Sequence, residues 1–122
     1  MARRNGPRAP KTDAPEHVRA VKMELRALGV AEREVRKRWY ELRTAAKHTA
    51  ENFPETYAAA AREHWRASIG AVTMELWAAE DARLEAAARW RLILAQREAM
   101  PVADRWNLAD LEAWAAWSPG VL

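Results

Sequence analysis

The chain has no cysteine, only four glycines among its 122 residues, and one phenylalanine. Without cysteine there is no disulfide, no thiolate nucleophile and no cysteine-based zinc site. Serine occurs only at positions 68 and 118, and neither sits in a glycine-rich elbow or a phosphate loop. The three histidines, His17, His48 and His64, stand apart, and none belongs to an H-E-x-x-H or E-x-x-H arrangement. No apolar run approaches the 18 or so residues that a membrane span needs. The basic opening, Met1 to Arg8, has no apolar stretch behind it and so does not read as a secretory signal. These absences predict a cytoplasmic protein with no cofactor, no metal and no catalytic residues, one that works by binding something else.

What the chain has in quantity is alanine, glutamate, arginine and leucine, all strong helix formers, and no segment alternates as a strand does. The expected class is all-α: a helical pair, then a long helix or helical hairpin, then a short C-terminal helix. Residues 1–12 read as a basic arm carrying Arg3, Arg4, Arg8 and Lys11. Residues 13–52 read as the pair. Asp13 suits a cap, Pro15 the first turn, and Val18, Val21, Leu25 and Leu28 make one apolar stripe before Gly29, a predicted stop. In the second helix of the pair, Val35, Trp39, Leu42 and Ala46 share one side. Arg33, Arg36, Lys37, Tyr40, Arg43 and Lys47 share another, with Glu32, Glu34 and Glu41 at its flanks. The cations therefore form a face with a tyrosine in its middle.

Asn52-Phe53-Pro54 closes that helix. Residues 53–100 form the core and oligomerisation segment, with Trp65, Ile69, Val72, Leu76, Trp90 and Leu94 on one line that Arg83 interrupts. Unbroken, it would be roughly 67 Å long at 1.5 Å per residue. A bend near Ser68-Ile69-Gly70 or near Glu80-Asp81 would make it a hairpin instead. Residues 101–122 are a Trp-rich tail in which Asn107 caps a short helix bearing Leu108, Leu111, Trp114 and Trp117, with Trp106 just ahead. So short an apolar helix is not stable alone. It either folds back on the body of the protein or docks, through Trp106, Leu108, Leu111, Trp114 and Trp117, into a partner's groove.

The segment from Leu25 through Leu28, Gly29, Val30 and Val35 to Trp39 resembles the helix-turn-helix of DNA-binding proteins. It has a leucine before the turn glycine, a valine after it, and an apolar residue five further on. Leu25 and Arg38 depart from that pattern, which usually has a small residue and an apolar one there. The resemblance implies a groove-facing set of Glu32, Arg33, Arg36, Lys37 and Tyr40. The order of parts, with the opening Ala2-Arg3-Arg4-Asn5-Gly6-Pro7-Arg8, is similar to the small terminase subunits of tailed phages. That likeness implies DNA binding at the front, homo-oligomerisation in the middle and a docking tail.

Charge placement agrees with a front-loaded binding surface. Residues 1–50 hold 13 Lys+Arg against 6 Asp+Glu, and residues 51–122 hold 7 against 11. The expected function is double-stranded DNA binding through Arg3, Arg4, Arg8, Arg33, Arg36, Lys37, Tyr40, Arg43 and Lys47, in a phage packaging subunit or a small transcriptional regulator. The alternative is a helical adaptor or inhibitor that grips a protein partner and never touches nucleic acid. The acidic group Glu80, Asp81 and Glu85 is expected to be a solvated face rather than a metal site.

Overall fold

The structure, a computed structural model, describes residues 9–53 and 55–117, with the backbone alone at residues 56–58. Among the described residues every regular element is helical. Helix α1 is Glu16–Asn52, α2 is Glu55–Ala99, a 3-10 turn follows at Val102–Asp104, and α3 is Leu108–Trp117. The protein is all-α.

The stop expected at Gly29 does not occur. The two predicted front helices are one, 37 residues long. No glycine among the described residues has a positive φ, so the conformation that makes glycine a terminator is not used here. A mid-helix glycine costs only about 1 kcal/mol relative to alanine. Against that stands a line of residues spaced alternately by three and four: Val18, Val21, Leu25, Leu28, Glu32, Val35, Trp39, Leu42 and Ala46. Such spacing keeps one side of an uninterrupted helix against its neighbour. Helix α2 follows the same rhythm through Trp65, Ile69, Val72, Leu76, Ala79, Arg83, Ala86, Trp90 and Ile93. It is a single 45-residue helix with no break at either candidate bend.

The chain divides into two compact units. The first joins the chain up to Ala27 to the chain from Glu85 onward. Its core is Ala14, Val18, Trp90, Ile93, Trp106 and Leu111, with Val21, Leu25, Leu94, Leu108 and Trp114 packed around it. Asn107 caps α3 as its position predicts, its Oδ1 accepting the Asp110 N–H at 2.9 Å. Asp13 does not cap α1. Its carboxylate accepts the Asn107 N–H at 3.1 Å, which ties the start of the chain to the start of α3. Pro15 stands at the α1 cap position instead, its carbonyl accepting from Val18 and Arg19. At the far end of α2, Arg105 donates to the carbonyls of Met100 (3.0 Å) and Glu98 (2.8 Å), supplying donors that the last helical turn lacks.

The second unit is Leu28–Leu84, the later part of α1 against the earlier part of α2, running antiparallel. Its apolar core is thin, with Val72 and Leu76 the buried apolar side chains. Polar contacts hold the two helices in register. The Trp39 indole N–H donates to the Thr73 hydroxyl at 2.9 Å, which in turn donates to the Ile69 carbonyl at 2.7 Å. Arg38 pairs with Glu75 at 2.9 Å.

Candidate nucleic-acid interface

The second unit decides which cations of α1 face outward. Because Val35, Trp39 and Leu42 lie on the line turned toward α2, the residues one and two positions away along the wheel are pushed to the surface. Arg33, Lys37, Tyr40, Arg43 and Lys47 are all exposed, Tyr40 at 57 %. From Arg33 to Lys47 this row is roughly 21 Å long, at 1.5 Å per residue. The Tyr40 ring stands edge-on to Trp39, centroids 5.0 Å apart. The Arg43 guanidinium lies over the Trp39 ring, 4.7 Å from its centroid, so it is held by a cation–π contact while its edge stays in solvent. A shallow depression lined by Tyr40, Glu41, Thr44, Ala45, His48 and Thr49 runs beside the row.

Arg36 does not belong with them. It is half-buried and donates to the Glu32 carboxylate at 2.9 Å, with Glu80 3.7 Å away. Glu32 itself is 8 % exposed and accepts from Arg83 as well. The Arg83 guanidinium first, then that of Arg36, hold its carboxyl below the usual carboxylate range, against the opposing effect of its burial. The same hydrogen bond to Glu32 raises Arg36 above the ordinary guanidinium value. So Arg36, expected on the binding face, is turned inward by charge pairing. Glu32, expected at the edge of a groove-facing set, is inside the helix pair.

Three further residues expected to bind DNA, Arg3, Arg4 and Arg8, lie outside the described residues. The five expected to dock into a partner divide unevenly. Trp106 and Leu111 are buried, Leu108 and Trp114 pack against the same core, and only Trp117 keeps much surface, at 39 %. Arg97 and Arg19 cover the Trp106 and Trp114 rings, at 5.2 and 5.8 Å. The segment folds onto the first unit because α3 would leave its apolar side in water otherwise. Four of the five anchors are thus taken by the chain itself.

Comparison with known protein families, curated proteins and solved structures returns no match to this chain. The site's chemistry is therefore argued from its own residues. Among the described residues no group of three or more His, Asp or Glu side chains is placed to hold a metal ion. No described helix is long and apolar enough to cross a membrane. What the cationic row can do is offer point charges and N–H forks to an anionic surface.

The residues that sequence reasoning missed are Glu32 and Arg83 as partners. Both were visible as charged residues standing on otherwise apolar lines of three-and-four spacing, one on each helix. Opposite charges at such places signal a pair across the interface.

Proposed function

We propose that this chain is a DNA-binding helical protein that does no chemistry of its own. The observation that carries the reading is the row of exposed cations on α1: Arg33, Lys37, Arg43 and Lys47, with exposed Tyr40 among them. Among the described residues none of these four is held by a carboxylate partner of the kind that occupies Arg36 and Arg38. Glu34 and Glu41 stand on one flank only, so the row keeps a net positive field. An unneutralised row of this length suits phosphates, whose condensed counterions are released on contact. The basic opening of the chain adds cations of the same kind. A packaging subunit and a small regulator both lie within this reading.

The test is binding of the full chain to arbitrary duplex DNA, measured at about 50 and about 200 mM salt. With four phosphate contacts the affinity falls by on the order of a hundredfold between those two conditions. Replacing Lys37, Arg43 and Lys47 with alanine abolishes binding at the lower salt and leaves helicity unchanged. Absence of binding at low salt removes the proposal.

A second reading rests on a different observation. In the second unit α2 exposes Met74 at 63 %, Trp77 at 57 % and Leu84 at 52 %. These large apolar side chains support an adaptor that binds a protein, or a second copy of this chain, through α2. Light-scattering mass of the isolated protein, and its change on Trp77→Ala, separates the second copy from a foreign partner.

A further inference from the structure

Resting on the DNA-binding reading, we infer that the interface grips the phosphate backbone without reading base sequence. A helix that enters the major groove has a phosphate strand along each of its flanks. The flanks of this row do not suit that placement. On one side, within the second unit, α1 is occupied by α2, through the Trp39 indole on Thr73. On the other side Glu34 and Glu41 are exposed and would face the second strand with like charge. One strand can be met along the outer row. Two cannot.

The forked side chains that read base edges most specifically are also scarce on the row. Sequence readout depends on forked donors and acceptors, chiefly Arg on guanine and Asn or Gln on adenine. Helix α1 contains no glutamine, and its one asparagine, Asn52, is turned back on the His48 carbonyl at 2.9 Å. The guanidinium of Arg36 is held by Glu32 and that of Arg38 by Glu75, while that of Arg43 has one face on Trp39 and its edge in solvent. Arg33 and the edge of Arg43 are left as the two open forks on the row. Lys37 and Lys47 are point charges, matched to phosphate oxygens rather than to a base pattern. The row covers roughly 21 Å, about six base-pair steps along the axis. Over that length it offers two forks, too few to spell a site of about six base pairs, and charge throughout.

The experiment is a titration of the full chain, at about 50 mM salt, against AT-rich, GC-rich and mixed duplexes of equal length, alongside selection from a randomised duplex pool. The three affinities fall within about threefold of one another, and the pool emerges unenriched. Arg33→Lys keeps the charge and removes the fork, and whatever affinity it costs is the same on all three duplexes, so their ratios stay within about threefold. A single enriched sequence bound more than about tenfold tighter, or an Arg33→Lys loss more than about tenfold larger on one duplex than on the others, overturns the inference while DNA binding stands. Failure to bind any of the duplexes overturns both.

Discussion

Glu32 is the residue whose removal tests the account of the second unit most sharply. It stands on the core line of α1, 8 % exposed, and accepts hydrogen bonds from Arg83 and Arg36. A hydrogen bond to a charged group contributes about 1.5–3 kcal/mol. The Arg83 and Arg36 side chains are 36 % and 40 % exposed, so water takes over part of what Glu32 supplies. That screening brings the expected cost of Glu32→Ala down to about 1–2 kcal/mol. For a chain of this size the loss corresponds to about 4–8 °C in Tm. Glu32→Leu with Arg83→Leu goes the other way. Exchanging an inward ion pair for apolar side chains is often neutral or stabilising, by about 1–4 kcal/mol, and here both leucines complete an existing heptad line. Urea unfolding followed by far-UV circular dichroism and by tryptophan fluorescence reads both variants. The effect of Glu32→Ala is also pH-dependent. Because the folded-state pKa of Glu32 lies below its unfolded value, its contribution is complete at neutral pH. It starts to shrink as pH falls through about 4.3 and is gone once pH passes below the folded-state value. Two outcomes would refute the reasoning: a Glu32→Ala midpoint equal to that of the parent at pH 7, or a double-leucine variant less stable than Glu32→Ala.

Gly29→Ala is expected to stabilise the protein by about 0.5–1 kcal/mol. An added Cβ would meet only Arg33 Nη1, at 3.8 Å, and the backbone there is helical; a drop in the urea midpoint would mean that the glycine does terminate a helix. Leu111→Ala is expected to cost about 2–5 kcal/mol, since Leu111 is fully buried in the core that holds α3. Its unfolding midpoint by tryptophan fluorescence checks this, and a change below about 0.5 kcal/mol would show that α3 is not packed on the first unit.

How much of this architecture was legible depended on which signal was followed. Composition alone pointed to the all-α class, because Ala, Glu, Arg and Leu fill most of the helical positions. Asn107 announced the start of α3, as a side-chain acceptor three residues ahead of the N–H it caps. Gly29 misled. Its reading as a stop rested on one residue, whereas the three-and-four spacing from Val18 to Ala46 runs through it without losing phase. A single glycine perturbs a helix by about 1 kcal/mol, while the residues held in phase along that line bury far more than that. The same spacing in α2 argued against a hairpin, since a bend at Gly70 would have broken the line between Ile69 and Val72. The C-terminal tryptophans were legible as apolar but not as to which surface covers them. That depends on contacts between residues some ninety positions apart, such as Asp13 with Asn107, and local pattern carries no record of such contacts.

The outward row of α1 was legible for a simpler reason. Once the apolar line of a helix is known, its opposite sectors are fixed by geometry. What periodicity could not assign was Arg36, because its orientation depends on a carboxylate that sits on the apolar line itself. With Glu32 inside, Arg36 is drawn toward it and toward Glu80, and the outer row is reduced to Arg33, Lys37, Arg43 and Lys47. The pair that fixes the register of α1 on α2 thus also sets the composition of the outer surface. An inward ion pair contributes little net stability, but it penalises any slip that leaves a carboxylate facing an apolar side chain. Glu32 and Arg83 occupy matching places on their two lines. A slip of one turn toward Ala79 separates them and leaves Glu32 facing a methyl group in place of the guanidinium. The charge pair therefore selects one register out of the several that heptad spacing alone would allow, and in doing so it draws Arg36 away from the outer row.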